Sequence, residues 1–230
     1  MCEPINFWKV SLGDTFQKFI GSGLSAKIWI LLLGVKSMTA YTVNLDPIMK
    51  LTREQFYELC AANPELKLER NPHGELVIMS PTGGETGAWN SDITTDLTLW
   101  NRQSGIGKVF DSSTGFALPK GSDRSPDAAW IPIAKWNALT PTQRKRFLPL
   151  CPDFAIELLS PNDSWIKSLA KMQEYQDNGC RLGWLIDPES KRVAIYRLGK
   201  SVEILEAPPS LSGEEVLIGF VLSLENIWSA

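Results

Sequence analysis

The stretch Phe154-Ala155-Ile156-Glu157-Leu158-Leu159 is apolar except for one carboxylate. Ser160-Pro161-Asn162-Asp163 follows, a turn composition. In residues 164–178, Trp165, Leu169, Met172 and Gln176 then recur at helical spacing. Gly179 is a helix stop, and a second apolar run, Leu182-Gly183-Trp184-Leu185-Ile186, ends at Asp187-Pro188. Strand, helix and strand in this order imply a right-handed parallel crossover. Parallel strands are covered on both faces, which suits continuous rather than alternating apolar runs. The fold class that follows is α/β.

Hairpin patterns lie on either side of this unit. Residues 66–70 and 75–80 flank the turn Asn71-Pro72-His73-Gly74, and residues 193–197 and 202–205 flank Gly199. Further strands are expected at 108–112, 115–118, 127–133 and 216–224. Thr52-Arg53-Glu54-Gln55 fits a capping box that opens a short helix ending before Pro64. Trp89, Ile93, Leu97 and Trp100 share one face of a helix over 85–102. Residues 135–147 read as two short helical turns around Pro141, and 225–228 as a terminal turn. The whole is a mixed central β-sheet flanked by helices.

At 230 residues, 43% hydrophobic and 21% charged, the chain can bury a core without disulfide or metal staples. A net charge of −3 excludes a generic basic nucleic-acid coat, though not a local basic groove. The chain has 1 histidine, His73, in the hairpin turn. Sites needing two or three imidazoles are therefore excluded, and any histidine-based triad would have to use that turn residue. Cys2, Cys60, Cys151 and Cys180 are widely spaced and form no C-x-x-C pair. This argues against a zinc site or a disulfide framework and suits a reducing cytoplasm. Metal chemistry would thus fall to carboxylates, which favours Mg²⁺ or Mn²⁺.

Residues 1–37 differ in texture from the rest. Their apolar run Ile28-Trp29-Ile30-Leu31-Leu32-Leu33-Gly34-Val35 is too short to span a bilayer. Glu3 and Asp14 precede it, unlike the basic start of a signal peptide. The expectation is that Met38 is the natural start, that 1–37 is an upstream extension or disordered segment, and that 38–230 is a single domain with no membrane association.

Two acids stand in apolar surroundings. Asp127 follows Ser125-Pro126 and opens Ala128-Ala129-Trp130-Ile131, while Glu157 lies within the first apolar strand. An acid there is costly to bury unless paired or metal-bound. Acids on neighbouring strands can hold a divalent cation, which polarises a phosphoryl oxygen and activates water. Lys167 and Lys171 lie four apart on the following helix and share a face at the border of its core stripe. A lysine so placed can orient the nucleophile or stabilise developing charge.

At these residues the chain resembles a known family. Ser125-Pro126-Asp127, the run Glu157-Leu158-Leu159-Ser160-Pro161-Asn162-Asp163, Lys171-Met172-Gln173-Glu174-Tyr175, Asn178-Gly179 and Gly183-Trp184-Leu185-Ile186-Asp187-Pro188 occur in this order. Together with Glu75-Leu76-Val77-Ile78-Met79-Ser80-Pro81 and 112–118, they are similar to the Uma-type restriction endonuclease family of the PD-(D/E)xK nuclease superfamily. The resemblance runs from about Met38 to Trp228. It implies a restriction-endonuclease-like fold and Mg²⁺- or Mn²⁺-dependent hydrolysis of DNA. Asp127 would match the motif's aspartate and Glu157 its second acid. Asp127, Glu157 and the Leu158 backbone carbonyl would then hold the metal. The motif's usual lysine position is Leu159, and the resemblance puts Lys171 in its place. Glu85, at the start of the first long helix, is a possible accessory acid.

Between Ala128 and Cys151, Lys135, Arg144, Lys145 and Arg146 occur with no acid among them, a candidate phosphate-facing stretch or a solvated helix face. Three functions compete. The first is a DNA phosphodiesterase. The second is a nuclease fold that binds nucleic acid or a protein without cutting, motivated by the missing strand lysine and the acidic charge. The third is a two-carboxylate glycosidase, which leaves the Lys171 helix without a role. A homodimer is expected from the base rate of two-fold assemblies and the symmetry of duplex DNA.

Overall fold

The computed structural model describes residues 40–45 and 49–229. The expectation for residues 1–37 lies outside the described residues. Along the chain run β1 (Ala40–Val43), α1 (Arg53–Ala62), β2 (Lys67–Arg70), β3 (Leu76–Met79), α2 (Gly84–Ser104), β4 (Gly107–Asp111), β5 (Phe116–Ala117), β6 (Asp123–Arg124) and β7 (Ala128–Pro132). Then come α3 (Ile133–Ala138), α4 (Pro141–Arg144), β8 (Phe154–Leu158), α5 (Trp165–Asp177), β9 (Leu182–Asp187), β10 (Arg192–Arg197), β11 (Glu203–Glu206), β12 (Ser210–Ser212), β13 (Val221–Ser223) and α6 (Glu225–Trp228).

The apolar runs build a mixed six-stranded sheet in the order β11-β10-β9-β8-β7-β4. β8 and β9 are parallel, with Phe154 opposite Leu182 and Leu158 opposite Ile186, and the other pairings are antiparallel. Side chains alternate between the two faces of a strand. Ala128, Trp130, Phe154, Ile156, Trp184 and Ile186 therefore pack on one face, with Ile93 and Leu97 of α2. Ala129, Ile131, Ala155 and Leu185 pack on the other, with Met172 and Tyr175 of α5. Both faces are covered, as the continuous apolar runs require.

The hairpin at 66–80 does not join that sheet. β2 and β3 belong to a second, five-stranded sheet in the order β1-β3-β2-β6-β5, which is antiparallel throughout. The mixed central sheet stands, but the expectation that this hairpin belongs to it is corrected. The chain passes from one to the other between β6 and β7, through Ser125-Pro126-Asp127. The strand expected over 216–224 is also corrected. Only Val221–Ser223 is extended there, paired with Ser210–Ser212, because Gly219 adopts a left-handed turn at φ +79°. The other expected elements lie within a few residues of expectation, including the Thr52 capping box of α1, while β1, β6 and β12 have no counterpart in the sequence pattern.

Candidate active site

Three segments converge at the sheet junction. The first is the end of β8 with its apolar neighbours. Glu157 shares a strand face with Ala155, so its carboxylate points at α5. There Lys171 Nζ lies 2.8 Å from Glu157 Oε1, and the Tyr175 hydroxyl donates to the same oxygen at 2.9 Å. Lys171 and Tyr175 are four apart on α5 and so present one face.

The second is the segment before β7. The Asp127 N–H donates to the Ile156 carbonyl at 3.0 Å, and the Leu158 N–H donates to Asp127 Oδ2 at 2.8 Å. These bonds place Asp127 beside Glu157. Asp127, Glu157 and Lys171, singled out in the sequence, are brought together.

The third is β2, and sequence reasoning missed it. Glu69 is 2% exposed, yet its carboxylate takes Lys171 Nζ at 2.9 Å on Oε1, the Ser125 N–H at 2.9 Å on the same oxygen, and Arg124 at 2.9 Å on Oε2. Arg124 also binds both oxygens of Glu174 on α5. A chain of charges therefore runs from Glu174 through Arg124, Glu69 and Lys171 to Glu157.

The carboxylates differ in what they have left to give. Both oxygens of Glu69 and of Glu174 are engaged. Asp127 and Glu157 each have one oxygen bonded inward. Asp127 Oδ1 and Glu157 Oε2 accept no hydrogen bond among the described residues and are not sealed from the cleft.

Electrostatics follow the same division. Burial pushes the Glu157 carboxyl up to about 7, with Asp127 and Glu69 adding to the rise against the pull of Lys171. Burial likewise raises Asp127, opposed first by Lys67 and then by the Leu158 N–H and Lys171. For Glu69 burial is overridden. The Lys171 and Arg124 cations, with their hydrogen bonds, hold it down to about 2. The Lys171 ammonium is disfavoured by burial, but Glu157 and Glu69 more than offset this and keep it protonated.

The site opens into a cleft of about 1090 Å³ lined by α5, the segment before β7, the end of β8, and one face of the β1-β3-β2 sheet. That face is set by register, since Lys67 lies opposite Met79, and Glu69 opposite Val77. Among the described residues, eight acidic and five basic side chains line the cleft. His73 is on its rim, as an exposed residue of the hairpin turn. Glu85 is exposed on α2 and is not part of the lining. Thr86 and Asn90 of that helix are.

Two carboxylates with open oxygens on adjacent strands suit a hard divalent cation that completes its shell with water and substrate oxygens. Among the described residues, no three His, Cys, Asp or Glu side chains converge as a metal site. A cation here would therefore rest on Asp127 and Glu157. The basic stretch 135–146 offers less. Lys135 pairs with Asp153, Arg146 with Glu54, and Arg144 lies over Trp136. No helix among the described residues is long and apolar enough to cross a membrane.

Comparison with known proteins agrees with this architecture. The fold matches the crystal structure of a "putative nuclease" from Anabaena variabilis, with a TM-score of 0.64 at 22% sequence identity, over 78% of this chain and 98% of that one. This supports the α/β, restriction-endonuclease-like fold expected from the sequence. No curated protein matches the sequence. The family described as Uma2, "Putative restriction endonuclease", matches residues 53–225, which include Glu69, Asp127, Glu157 and Lys171, and the chain belongs to that family.

Proposed function

We propose that the chain is a divalent-cation-dependent endonuclease that hydrolyses DNA phosphodiester bonds. The reading rests on one observation: Asp127 and Glu157 each keep an oxygen open to the cleft, while Glu69 and Glu174 beside them are saturated. Asp127, Glu157 and the Leu158 carbonyl would hold Mg²⁺ or Mn²⁺. The bound ion would polarise the phosphoryl oxygen and lower the pKa of its water. Lys171, fixed between Glu69 and Glu157, sets a cation at the edge of that site to meet charge developing on the phosphate. Asp127 is held in place by its bond from the Leu158 N–H, and Tyr175 fixes the rotamer of Glu157. A cytoplasmic homodimer acting on a two-fold symmetric duplex belongs to the same proposal, and sedimentation at micromolar concentration tests it.

The deciding experiment is cleavage of plasmid and single-stranded DNA by the full chain with Mn²⁺, beside Glu157→Ala. Cutting abolished both by EDTA and by the substitution supports the assignment. Cutting that the variant retains refutes it.

A second reading, a nuclease fold that binds without cutting, draws on Leu159 at the usual lysine position and on the acidic excess in the cleft. Calorimetry separates the two, since a binding protein shows no divalent-ion uptake that depends on Glu157.

A further inference from the structure

The cations of the cleft fall into two groups. Arg124 and Lys171 are held by buried carboxylates, so Lys171 serves the reacting phosphate from a fixed position and neither can reach along the strand beyond it without leaving an acid unpaired. Lys67, Lys120 and Lys167 also line the cleft, and none has an ion-pair partner among the described residues. Lys120 and Lys167 are exposed, but Lys67 is half-buried.

Lys67 is also the one placed beside the chemistry. It lies two residues before Glu69 on β2, so both side chains project from the same strand face into the cleft. Glu69 on that face accepts the Ser125 N–H, two residues before Asp127, so Lys67 stands on the strand face that meets the Asp127 segment, and both residues line the cleft. The neighbouring positions on that sheet face are Val77 and Met79, which carry no charge. A half-buried ammonium with no ion-pair partner among the described residues, in the cleft that Asp127 and Glu157 also line, is placed to receive an anion.

We propose that Lys67 is a substrate-binding residue that grips a backbone phosphate adjoining the bond held at Asp127 and Glu157. The proposal rests on the nuclease reading and deepens it. The ligand class is a phosphodiester backbone of any base sequence. Among the described residues no Phe, Trp or Tyr lines the cleft, so they offer no aromatic platform on which bases could stack. What this face offers the strand is charge, which positions nucleic acid without reading it. With eight acids facing five bases, an uncommitted cation next to the acids is what lets a polyanion approach them.

The test is fluorescence anisotropy of the full chain with labelled oligonucleotides of two unrelated sequences, each single-stranded and duplex. Ca²⁺ replaces Mg²⁺, strand integrity is checked on a gel, and salt runs from about 50 to about 200 mM. Lys67→Ala should weaken binding equally for both sequences and flatten the dependence of log K on log salt by about one unit. Lys67→Arg should keep the wild-type slope. Lys145→Ala, outside the cleft, should change neither slope nor affinity. Thermal melting should be unaltered in all three, because Lys67 makes no ion pair among the described residues that its loss would break. A wild-type chain that binds while Lys67→Ala keeps the same slope and affinity overturns this inference alone. A wild-type chain that binds no oligonucleotide overturns the nuclease reading, and this inference with it.

Discussion

The six-stranded and five-stranded sheets meet at the site, but they are held together by different forces. β8 and β9 are buried along their whole length, and Glu157 is the one charge in their interior before Asp187 closes β9. Trp184, Phe154 and Phe220 stack and tilt against one another on one face of this sheet. In the five-stranded sheet the buried side chains of β2 and β6 are Leu68, Glu69, Arg70, Asp123 and Arg124, four of the five being charged. Arg70 pairs with Asp123, and Arg124 with Glu69. An apolar face gains stability from area alone. A buried ion-pair network roughly balances desolvation against attraction, and what it adds is position. Here the position gained is that of Lys171, which α5 carries to the site and Glu69 holds there.

The largest effects should come from removing the central group of each region. Trp184→Ala should lower the unfolding free energy by about 3–5 kcal/mol, read from denaturant melts. Arg124→Met should cost about 3–5 kcal/mol, since it leaves Glu69 and Glu174 buried without their shared cation. The two losses differ in kind. Adding Glu69→Gln to Arg124→Met should cost less than the sum of the single changes, because the second removes a charge that the first has orphaned. Strict additivity in that cycle would mean that the network is not the unit described here.

A pH series sharpens the contrast next, because one ammonium serves two carboxylates that are shifted in opposite directions. In the metal-free chain Glu157 is raised from 4.5 to about 7, mainly by burial. The folded state then holds the proton more tightly than the unfolded state, so stability should fall as pH rises from about 4.5 through about 7. Glu69 is lowered from 4.5 to about 2 by Lys171 and Arg124 against the cost of burial. Its contribution is fully present above about 4.5 and should be lost as pH falls towards 2. Glu157→Gln should flatten the neutral limb of the stability profile and Glu69→Gln the acid limb. A neutral limb that survives Glu157→Gln would place the titrating group elsewhere. Divalent-ion affinity measured by calorimetry should rise with pH through the same neutral window, because the ion displaces the Glu157 proton.

The apolar region was legible because burial on both faces writes itself as continuous apolar runs, and Asp127 and Glu157 stood out as exceptions within or beside them. Lys171 came from the family resemblance and from its position on a helix face. Glu69 was not legible. In Leu66-Lys67-Leu68-Glu69-Arg70 the alternation reads as an ordinary hairpin strand with Lys67 and Glu69 turned to solvent. A signal did exist, since the partner strand puts Val77 and Met79 on that same face, a poor composition for a solvated surface. β6 was missed because two charged residues, Asp123 and Arg124, carry no strand pattern and are extended through their tertiary partners. Lys135 and Arg146 looked like a phosphate-facing patch because their acidic partners, Asp153 and Glu54, are remote in sequence.

The smallest effect asks whether the two regions open together. Thr52 caps α1, which packs its one fully buried residue, Phe56, against the five-stranded side. Its hydroxyl accepts the Gln55 N–H at 3.2 Å, and the Gln55 side chain accepts the Thr52 N–H at 2.9 Å. Thr52→Ala should cost about 1 kcal/mol. Hydrogen exchange should show where that cost is felt. If the charged sheet opens as its own cooperative unit, amides of β2 and β3 should lose protection while those of β8 and β9 keep theirs. The apolar sheet would then be the fixed part, carrying Asp127 and Glu157. The charged sheet would be a less stable wall, carrying Glu69 and Lys67 towards the cleft. If protection falls equally in both sheets, the Arg124 network that spans β6, β2 and α5 couples them into one unit. The contrast between the sheets would then be one of composition and not of dynamics.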